Sequence, residues 1–421
     1  MSNLAISGGK PVGALNVPSW PIFDEQEEAM LLEVLRSGRW SYLGPMEQRL
    51  ERAFAEYTGA DYAITATNGT HTLRLLLESY GIGPGDEVIV PGMTWQATAV
   101  SVLDVNAVPV LVEIDEETFT IDPKAVEAAV TSRTRAIIPV HIFGRMSDMD
   151  AIMDIASRYN LVVIEDCAHQ HGSCWRGVNA GLMSDGGSYS MQLSKGLNTG
   201  EGGLIITHDA RVNDYIQSMK NCGRPWREGA RTMHGGNYRM TEFQCAIGLV
   251  QLSRFDEQNR LREKNAAWLE KNITDYEGLR PLRQNPNVTF QTYYSWSLIY
   301  DRDRWGGVSK WAFMKALQAE TENSLHIGST YIPLPYSPLY RPLSKKTHRL
   351  SEEYIRAINP SKYSLPVCDK VYEETAVNFA HAVLMMDNEG NQRLMDILGK
   401  LCGNIDELRV FDKDYVHEYI D

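Results

Sequence analysis

Short apolar runs rich in β-branched residues alternate with helical patterns from about residue 60 to residue 220. The runs that we predict as strands are 62–65, 87–91, 108–114, 135–142, 161–166, 187–191 and 203–207. Asp122 and Pro123 are typical of a helix start, and Ser147 or Asp148 can cap the helix that follows. The alternation predicts βαβ units, and therefore an α/β fold with a mostly parallel sheet between helices.

The pattern changes in the second half of the chain. A helical pattern runs from Thr241 to about Lys271, and beyond it strands such as 293–300 mix with helices such as 310–320. A chain of 421 residues is also too long for one ordinary core. We therefore predict a large domain over residues 1–265, with an N-terminal arm and a linker helix, and a smaller C-terminal α+β domain over residues 266–421.

Composition and charge narrow the class of protein. Apolar residues make up 43% of the chain and charged residues 23%, as in ordered globular proteins. The net charge of −13 argues against a nucleic-acid binder and favours small-molecule partners. The chain shows no secretory-signal pattern, no apolar stretch near the roughly 18 residues needed to span a bilayer, and no Cys-x-x-Cys pair. We therefore expect a cytoplasmic protein with reduced thiols and no membrane partner.

A lysine and an aspartate indicate the chemistry. Asp166 ends the apolar run 161–166, and Lys195 lies on a later loop. An acid at the end of a buried strand can hold a pyridine nitrogen protonated, while a lysine amine can bond to the aldehyde of the same ring. The pair therefore predicts a pyridoxal phosphate enzyme, although each residue alone is also typical of a helix cap or of a solvated side chain.

Two further segments follow predicted strands. Asn68, Gly69 and Thr70 precede a predicted helix, where backbone amides can bind phosphate, or they form an ordinary capped turn. Trp95 can stack on a flat cofactor or belong to the core. Ligands of open α/β sheets collect where strands end, so all of these positions together favour a cofactor site.

The segment 167–174 contains two cysteines and two histidines, which could ligate a metal. Its spacing does not match the usual zinc patterns, and a metal would leave Asp166 and Lys195 without roles. We therefore predict no metal site.

Five segments, taken in order, resemble the DegT/StrS type of sugar aminotransferases. They are Asn-Gly-Thr-His (68–71), Pro-Gly-Met-Thr-Trp (91–95), Glu-Asp-Cys-Ala-His-Gln-His-Gly (165–172), Ser-x4-Lys-x4-Gly-Glu-Gly-Gly (190–203) and Gly-Asn-Tyr-Arg-Met-Thr-Glu-Phe-Gln (236–244). The resemblance covers the chain from about Trp20 to its end. It implies the aspartate-aminotransferase-like fold, which is pyridoxal phosphate fold type I, with a seven-stranded sheet in the large domain.

The resemblance also implies a role for each matching residue. Lys195 would carry the cofactor, Asp166 would pair with its pyridine nitrogen and Trp95 would stack on its ring. The phosphate would be bound by Gly69, Thr70, Ser190 and, from the neighbouring subunit of a homodimer with shared sites, Asn237. His169 stands where the family usually has glutamine and would contact the phenolic oxygen; its protonation state is left open by the sequence.

The resemblance implies an aminotransferase, because relatives that dehydrate deoxysugars carry histidine in place of Lys195. Gly-Gly-Lys-Pro (8–11), Trp20-Pro21 and Gln-Thr-Tyr-Tyr (291–294) resemble aminotransferases for inosose-type cyclitol ketones in aminoglycoside biosynthesis, whereas Cys-Gly-Arg-Pro (222–225) resembles aminohydroxybenzoate synthases. The expected reaction moves an amino group from L-glutamine or L-glutamate to a cyclic polyhydroxy ketone, with Lys195 carrying the proton.

Residues for the ketone and two other functions remain as hypotheses. Tyr293, Tyr294 and Tyr331 are candidates for lining the substrate, or are packing residues of the small domain. An aromatising dehydratase on the same cofactor is one alternative function. A pyridoxal-phosphate-binding regulator with little turnover is the other, although the chain has no basic appendage that would bind DNA.

Overall fold

The computed structural model describes residues 3–42, 44–230 and 232–417. Its α-helices are α1 Glu25–Ser37, α2 Pro45–Thr58, α3 Gly69–Ser79, α4 Ala97–Asp104, α5 Pro123–Ala128, α6 Met149–Tyr159, α7 Ala210–Met219, α8 Glu242–Ser253, α9 Phe255–Ile273, α10 Lys310–Glu320, α11 Glu352–Ala357, α12 Pro366–Lys370, α13 Asn388–Cys402 and α14 Ile405–Asp414. Its strands are β1 Tyr62–Ala66, β2 Glu87–Pro91, β3 Val108–Val112, β4 Thr134–Ile137, β5 Val162–Asp166, β6 Cys174–Trp175, β7 Val178–Asn179, β8 Gly186–Ser190, β9 Gly203–Thr207, β10 Leu279–Pro281, β11 Val288–Phe290, β12 Ser295–Tyr300, β13 Ile327–Gly328 and β14 Ala376–Ala380.

Seven strands form the main sheet, in the order β1-β9-β8-β5-β4-β2-β3. All neighbouring pairs are parallel except those that involve β9, which is antiparallel to β1 and β8. The strands are buried along most of their length, as expected for a sheet covered on both faces. The prediction of a mostly parallel seven-stranded sheet is therefore confirmed.

A second core lies in the C-terminal part of the chain. The four-stranded sheet β10-β12-β14-β13 packs with α10, α13 and part of α9 around large buried side chains such as Trp296 and Phe313. Leu4 and Leu15 of the N-terminal arm pack in this second core, whereas Leu334 and Leu365 pack with the main sheet. The two cores therefore exchange segments across the predicted division near residue 265, which itself stays a prediction.

The prediction of one continuous helix from Thr241 to about Lys271 is wrong. The structure breaks it at Arg254, which separates α8 from α9 with φ −102° and ψ −2°. The Arg254 side chain forms ion pairs with Asp24 and Glu27 at 3.2 and 3.0 Å. The turn lets α8 pack against α1 and α2 while α9 continues towards the second core.

Three predicted strands are shorter in the structure. The run 108–114 ends its ladder at Val112, and the run 135–142 ends at Ile137, after which Val140 makes only an isolated bridge to Asp166. The run 293–300 pairs only from Ser295 onward. Apolar character continues beyond each ladder because these residues are buried, but burial alone does not supply a strand partner.

Among the residues described, none of the helices combines the length and the apolar character that crossing a bilayer requires.

Candidate active site

A cavity of about 530 Å³ opens at the edge of the main sheet where β5 and β8 end. Its size is typical of small-molecule sites. The lining residues are Asn68, Gly69, Thr70, Leu73, Thr94, Trp95, Ala97, Thr98, Val140, Asp166, Ala168, His169, Ser190, Gln192, Ser194, Lys195, Glu201, Tyr294 and Tyr331. The cavity therefore brings together most of the residues that the sequence predicted, including the two expected to do chemistry.

Asp166 lies at the carboxyl end of β5 with only 6% of its surface exposed. Thr98 Oγ1 donates to one carboxylate oxygen at 2.9 Å, and the Ala168 backbone N–H donates to the other at 3.2 Å. Burial nevertheless raises the pKa of this carboxyl, against the opposing effect of the two hydrogen bonds. Asp166 is therefore an oriented acid that a cationic group in the cavity would stabilise in its charged form.

Lys195 reaches the same cavity from the loop after β8. Its side chain is buried, and Nζ lies 4.2 Å from the centre of the Tyr294 ring. Burial lowers the pKa of the amine, and Tyr294 and Asp166 oppose this only in part. A lysine with a lowered pKa carries more of the neutral amine, which is the form that acts as nucleophile or base.

The amino end of α3 supplies an anion-binding position. Asn68 caps the helix, its Oδ1 accepting the His71 backbone N–H at 2.9 Å, so the first turn of α3 opens onto the cavity. Gly69 lies against Ser190, where an added Cβ would be 2.7 Å from the Ser190 Cβ. Only glycine fits here, because any side chain would push the helix start away from Ser190.

Two aromatic rings border the cavity. Trp95 is 46% exposed, a high value for such a large apolar ring, and its ring centre lies 5.7 Å from that of Tyr331. Because Trp95 is exposed, its indole face is available for a flat ligand to cover. Burial raises the pKa of Tyr331, so the Tyr331 hydroxyl keeps its proton.

The backbone of Phe143 settles the protonation of His169. The Phe143 N–H donates to His169 Nδ1 at 3.0 Å, so Nδ1 is unprotonated and the neutral ring carries its proton on Nε2, which lies 3.2 Å from the Tyr331 hydroxyl. Burial, followed by the charge of Lys195, lowers the pKa of His169 well below its ordinary value. His169 therefore presents an N–H donor, as the amide of a glutamine would.

Glu165, the residue before Asp166, forms a buried pair with His141. Glu165 accepts hydrogen bonds from His141 Nε2 at 2.8 Å, from two backbone amides and from the Ser184 hydroxyl. His141, Glu165 and Cys167 bring their ligand atoms within 4.8 Å of one another. Since the glutamate oxygens already have four donors, we interpret this group as a support for β5. In the segment 167–174, His171 Nε2 lies 2.9 Å from the Ser190 carbonyl oxygen.

Two predicted site residues lie outside the cavity of this chain. The hydroxyl of Tyr293 interacts with Arg145, with the charge of Glu270 nearby, while the next residue, Tyr294, lines the cavity. Asn237 is exposed and makes an isolated backbone bridge to Asn221. The structure therefore brings together Gly69, Thr70, Trp95, Asp166, His169, Ser190, Lys195, Tyr294 and Tyr331, but neither Tyr293 nor Asn237.

The structure also adds residues that the sequence reasoning missed. Thr98 holds Asp166, Phe143 orients His169, and Ser194 lies 3.2 Å from the Tyr294 hydroxyl. Thr98 carried a weak signal, since it follows Trp95 by about one helical turn. The sequence gives no signal for Phe143. In the structure its φ of 55° is unusual for a bulky residue and marks a locally strained backbone.

Comparison with known proteins gives consistent matches over nearly the whole chain. Residues 21–384 match the DegT/DnrJ/EryC1/StrS aminotransferase family. A relative from Streptoalloteichus tenebrarius, named L-glutamine:2-deoxy-scyllo-inosose aminotransferase, is 38% identical over 97% of this chain and 99% of its own. A protein of the same name from Streptomyces fradiae is 38% identical over 92% and 95% of the two chains.

Solved structures agree. The crystal structure of 3-amino-5-hydroxybenzoic acid synthase superposes with a TM-score of 0.81 at 29% identity, covering 93% of this chain and 99% of that one. DesI, in the presence of its TDP-sugar product, also has a TM-score of 0.81, at 26% identity over 98% and 100% of the two chains. These matches confirm the predicted aspartate-aminotransferase-like fold and the resemblance on which it rested.

Proposed function

We propose that this chain, which belongs to the DegT/DnrJ/EryC1/StrS aminotransferase family, transfers the amino group of L-glutamine to a cyclic polyhydroxy ketone. The ketone that we propose is of the 2-deoxy-scyllo-inosose type. The chain is an aminotransferase, and its full-length relatives are named for this donor and this acceptor. The observation that carries the chemistry is the buried amine of Lys195 in one cavity with the buried carboxylate of Asp166.

The cavity fits pyridoxal phosphate on four grounds. The helix start at Gly69 and Thr70 offers backbone amides to a phosphate, and the place of a Cβ at Gly69 is already taken by Ser190. Asp166 is an acid that burial disfavours as a lone anion, so a protonated pyridine nitrogen would complement it. The Trp95 face offers a surface for the ring, and the His169 Nε2–H offers a donor for its phenolic oxygen.

When bound, pyridoxal phosphate supplies an electron sink for the electron pair released at the donor's α-carbon. Lys195 is the residue that we assign to proton transfer: its neutral amine takes the α-proton of the donor and later delivers a proton to the carbon that was the ketone. Tyr294 places this amine, since Lys195 Nζ lies over its ring and its hydroxyl lies 3.2 Å from Ser194 Oγ. Asp166, held by Thr98 and the Ala168 backbone N–H, would hold a protonated pyridine nitrogen, which in turn would favour the charged carboxylate.

Isotope transfer tests the reaction. The enzyme with pyridoxal phosphate is incubated with 2-deoxy-scyllo-inosose and with L-glutamine that carries ¹⁵N at its α-amine. The mass of the product is then measured by mass spectrometry. We expect an aminocyclitol heavier by one mass unit, and no label when only the side-chain amide of glutamine carries ¹⁵N. Label from L-glutamate but not from glutamine would contradict the proposed donor.

We further propose a homodimer in which Asn237 reaches the phosphate of the neighbouring subunit. Its exposure and its position outside the cavity of its own chain are consistent with that role. Lys195→Ala and Asn237→Ala proteins, each inactive alone, should regain activity when mixed, because one of the two sites in a mixed dimer is then intact. Mixtures that exchange subunits, as followed by mass spectrometry, and yet stay inactive would contradict a shared site.

A second candidate function is favoured by the similarity to 3-amino-5-hydroxybenzoic acid synthase. An aromatising dehydration would use the same lysine and aspartate to remove a proton and expel water, giving an aromatic product. Ultraviolet absorption of the product distinguishes the two reactions, because an aminocyclitol has no aromatic band.

A further inference from the structure

A second cavity, of about 670 Å³, lies between α2 and α7 beside the start of β1. Its size is also typical of small-molecule sites, and it shares no lining residue with the active-site cavity. Tyr62 and Ala63, which line the second cavity, begin β1, whereas Asn68 of the active site follows the end of this strand. The two cavities therefore lie towards opposite ends of β1, and the proposed reaction does not use the second one.

Asn213 of α7 lines the second cavity with an unpaired side chain. The residue is only 4% exposed, yet its side-chain amide forms no hydrogen bond with any described residue. Buried amides normally have partners. Asn265, for example, is 2% exposed and donates to the carbonyl oxygens of Leu384 and Met386 at 2.8 and 2.9 Å. The Asn213 amide has donors and an acceptor, so it is available to a molecule in the cavity.

Gln217 lies one turn after Asn213 on α7 and lines the same cavity. Its Nε2 donates to Glu51 Oε2 at 3.2 Å, while Glu51 Oε1 accepts from Lys220 Nζ at 2.7 Å. These bonds hold Glu51 and Gln217 in place. The Gln217 side-chain carbonyl oxygen has no hydrogen-bond partner among the described residues. The α7 side of the cavity therefore offers two amide side chains, which can bind hydroxyl groups as donors and as acceptors.

The charged residues of the second cavity favour a cation. Glu51, Glu56 and Asp61 are acidic, and Arg52 is the sole basic residue among those that line the cavity. Glu56 is exposed, and its carboxylate forms no hydrogen bond or ion pair with the described residues. Asp61 uses one carboxylate oxygen, Oδ2, which lies 2.9 Å from His208 Nδ1. A cation in the cavity can therefore contact Glu56 and the other oxygen of Asp61 without breaking an existing bond.

Two aromatic residues, Tyr62 and Trp226, also line the second cavity, and Trp226 is 38% exposed. Aromatic faces pack against the C–H bonds of a ring and attract ammonium groups. The guanidinium carbon of Arg227 lies 5.7 Å from the Trp226 ring centre, but Arg227 forms its own ion pair with Asp214. Because Asp214 balances this charge, Arg227 does not make the cavity basic.

We infer that the second cavity binds a small hydroxylated ammonium ion of the aminocyclitol class. The carboxylates of Glu56 and Asp61 bind the ammonium group. The amides of Asn213 and Gln217 bind hydroxyl groups, and Trp226 packs against the carbon ring. The product of the proposed reaction belongs to this class, because amination of a polyhydroxy ketone gives an amine that is protonated at neutral pH. The choice of an aminocyclitol rests on the proposed function, whereas the charge of the ligand rests on the cavity alone.

Binding of two matched probes tests the site. 2-Deoxy-scyllo-inosamine carries an ammonium group where 2-deoxy-scyllo-inositol carries a hydroxyl group. The cofactor-loaded enzyme is first reduced with borohydride, which fixes the cofactor to Lys195, so that the amine cannot react at the active site. Calorimetric titration should then show that the inosamine binds about 10-fold more tightly than the inositol, because only the ammonium group makes charge-assisted hydrogen bonds to the carboxylates.

Substitutions at the second cavity locate the binding. Glu56→Gln combined with Asp61→Asn should weaken the inosamine by about 10-fold and leave the inositol unchanged, because only the charge is removed. Asn213→Leu keeps a similar size and should weaken both probes by about 10-fold, because the hydrogen bonds of the amide are lost. Glu257→Gln combined with Asp303→Asn is the matched control for the double variant. Both of these acids are exposed and lie outside the two cavities, and the change in net charge is the same.

Three results would overturn the inference. Equal binding of the two probes would show that the cavity does not select a cation. An inosamine affinity that is the same in wild type and in the Glu56/Asp61 double variant would place the binding elsewhere, and no binding of the inosamine to wild type would show that the cavity is not its site. Because Glu56 and Asp61 are exposed, the double variant decides the matter even if Asn213→Leu does not fold. The titrations require no turnover, so they test this site even if isotope transfer rejects the proposed reaction.

Discussion

Two buried lysines of this protein lie only 25 positions apart in the chain and have opposite surroundings. Lys220 Nζ contacts Glu47 and Glu51 at 2.7 Å each and also the carbonyl of Thr65. Lys195 Nζ lies over the Tyr294 ring and forms no ion pair with a carboxylate of the described residues. Burial alone would lower the pKa of both amines, but the two glutamates outweigh it at Lys220, where the pKa is raised.

The comparison shows that burial by itself does not make a lysine reactive. A buried ammonium with two carboxylates is a structural crosslink, here between α2, β1 and the end of α7. A buried amine without such partners loses its proton more readily and becomes available for chemistry. Removing each lysine should therefore have opposite consequences for activity and stability.

The largest effect is expected from Lys195→Ala. Without the amine, the cofactor cannot be attached covalently and no group at that place moves the proton, so the rate should fall by about 10⁴-fold. Activity measurements and mass spectrometry after borohydride treatment check this: borohydride should fix the cofactor to Lys195 in wild type and to no residue in the variant. The unfolding free energy of the apo protein should change little, as no ion pair is lost.

The next largest effect is expected from Lys220→Met, and it is one of stability. The substitution leaves Glu47 and Glu51 buried without their cation, which costs about 3–5 kcal/mol of unfolding free energy. Urea denaturation of the apo protein measures it. The fraction that remains folded should still bind pyridoxal phosphate at Lys195. Loss of the cofactor from well-folded Lys220→Met protein would contradict a purely structural role for Lys220.

A smaller effect is expected from Asp166→Asn, which keeps the shape of the side chain and removes its charge. Cofactor should still bind, but proton abstraction should slow by about 100-fold to 1000-fold, because a preorganised electrostatic partner is lost. Stopped-flow absorbance of the two half-reactions measures it, and both should slow, as they share the electron sink. Wild-type rates in this variant would mean that a residue other than Asp166 interacts with the pyridine nitrogen.

The smallest effect is a difference in titration between the two amines. Because the pKa of Lys195 is lowered and that of Lys220 is raised, Lys195 becomes neutral first as the pH increases. Labelling of the apo protein with acetic anhydride over a pH series, followed by mass spectrometry, should modify Lys195 below the ordinary pKa of 10.5 and Lys220 only above it. Reversal of this order would contradict the account of both sites.

The signs of the corresponding stability changes follow from linkage. Below pH 10.5 the unfolded chain protonates the lysine at position 195 more readily than the folded chain, so wild type gains stability relative to Lys195→Met as the pH rises from the folded pKa towards 10.5. Lys220 behaves oppositely: its contribution is present below 10.5 and is lost as the pH rises through its raised folded pKa.

Much of the fold and the central residues of the site could be predicted from short stretches of the sequence. The strands that end at Pro91 and Asp166 and the helix Lys310–Glu320 lie where their apolar patterns predict, since burial and capping act over a few neighbouring positions. Asp166, Lys195 and the start of α3 could be placed in one cavity for the same reason: strand ends of an open α/β sheet meet at one edge.

Other features depend on segments that are far apart in the sequence. Adjacent residues of an extended chain point to opposite sides, so only one of Tyr293 and Tyr294 could face the cavity. The hydrogen bond from the Tyr294 N–H to the Phe143 carbonyl at 2.9 Å directs Tyr294 inward and leaves Tyr293 against Arg145. The contact between the Trp20 ring and the Arg262 guanidinium, 5.1 Å apart, likewise joins segments more than two hundred residues apart in the chain. No local pattern encodes such contacts, because they exist only once both cores have packed.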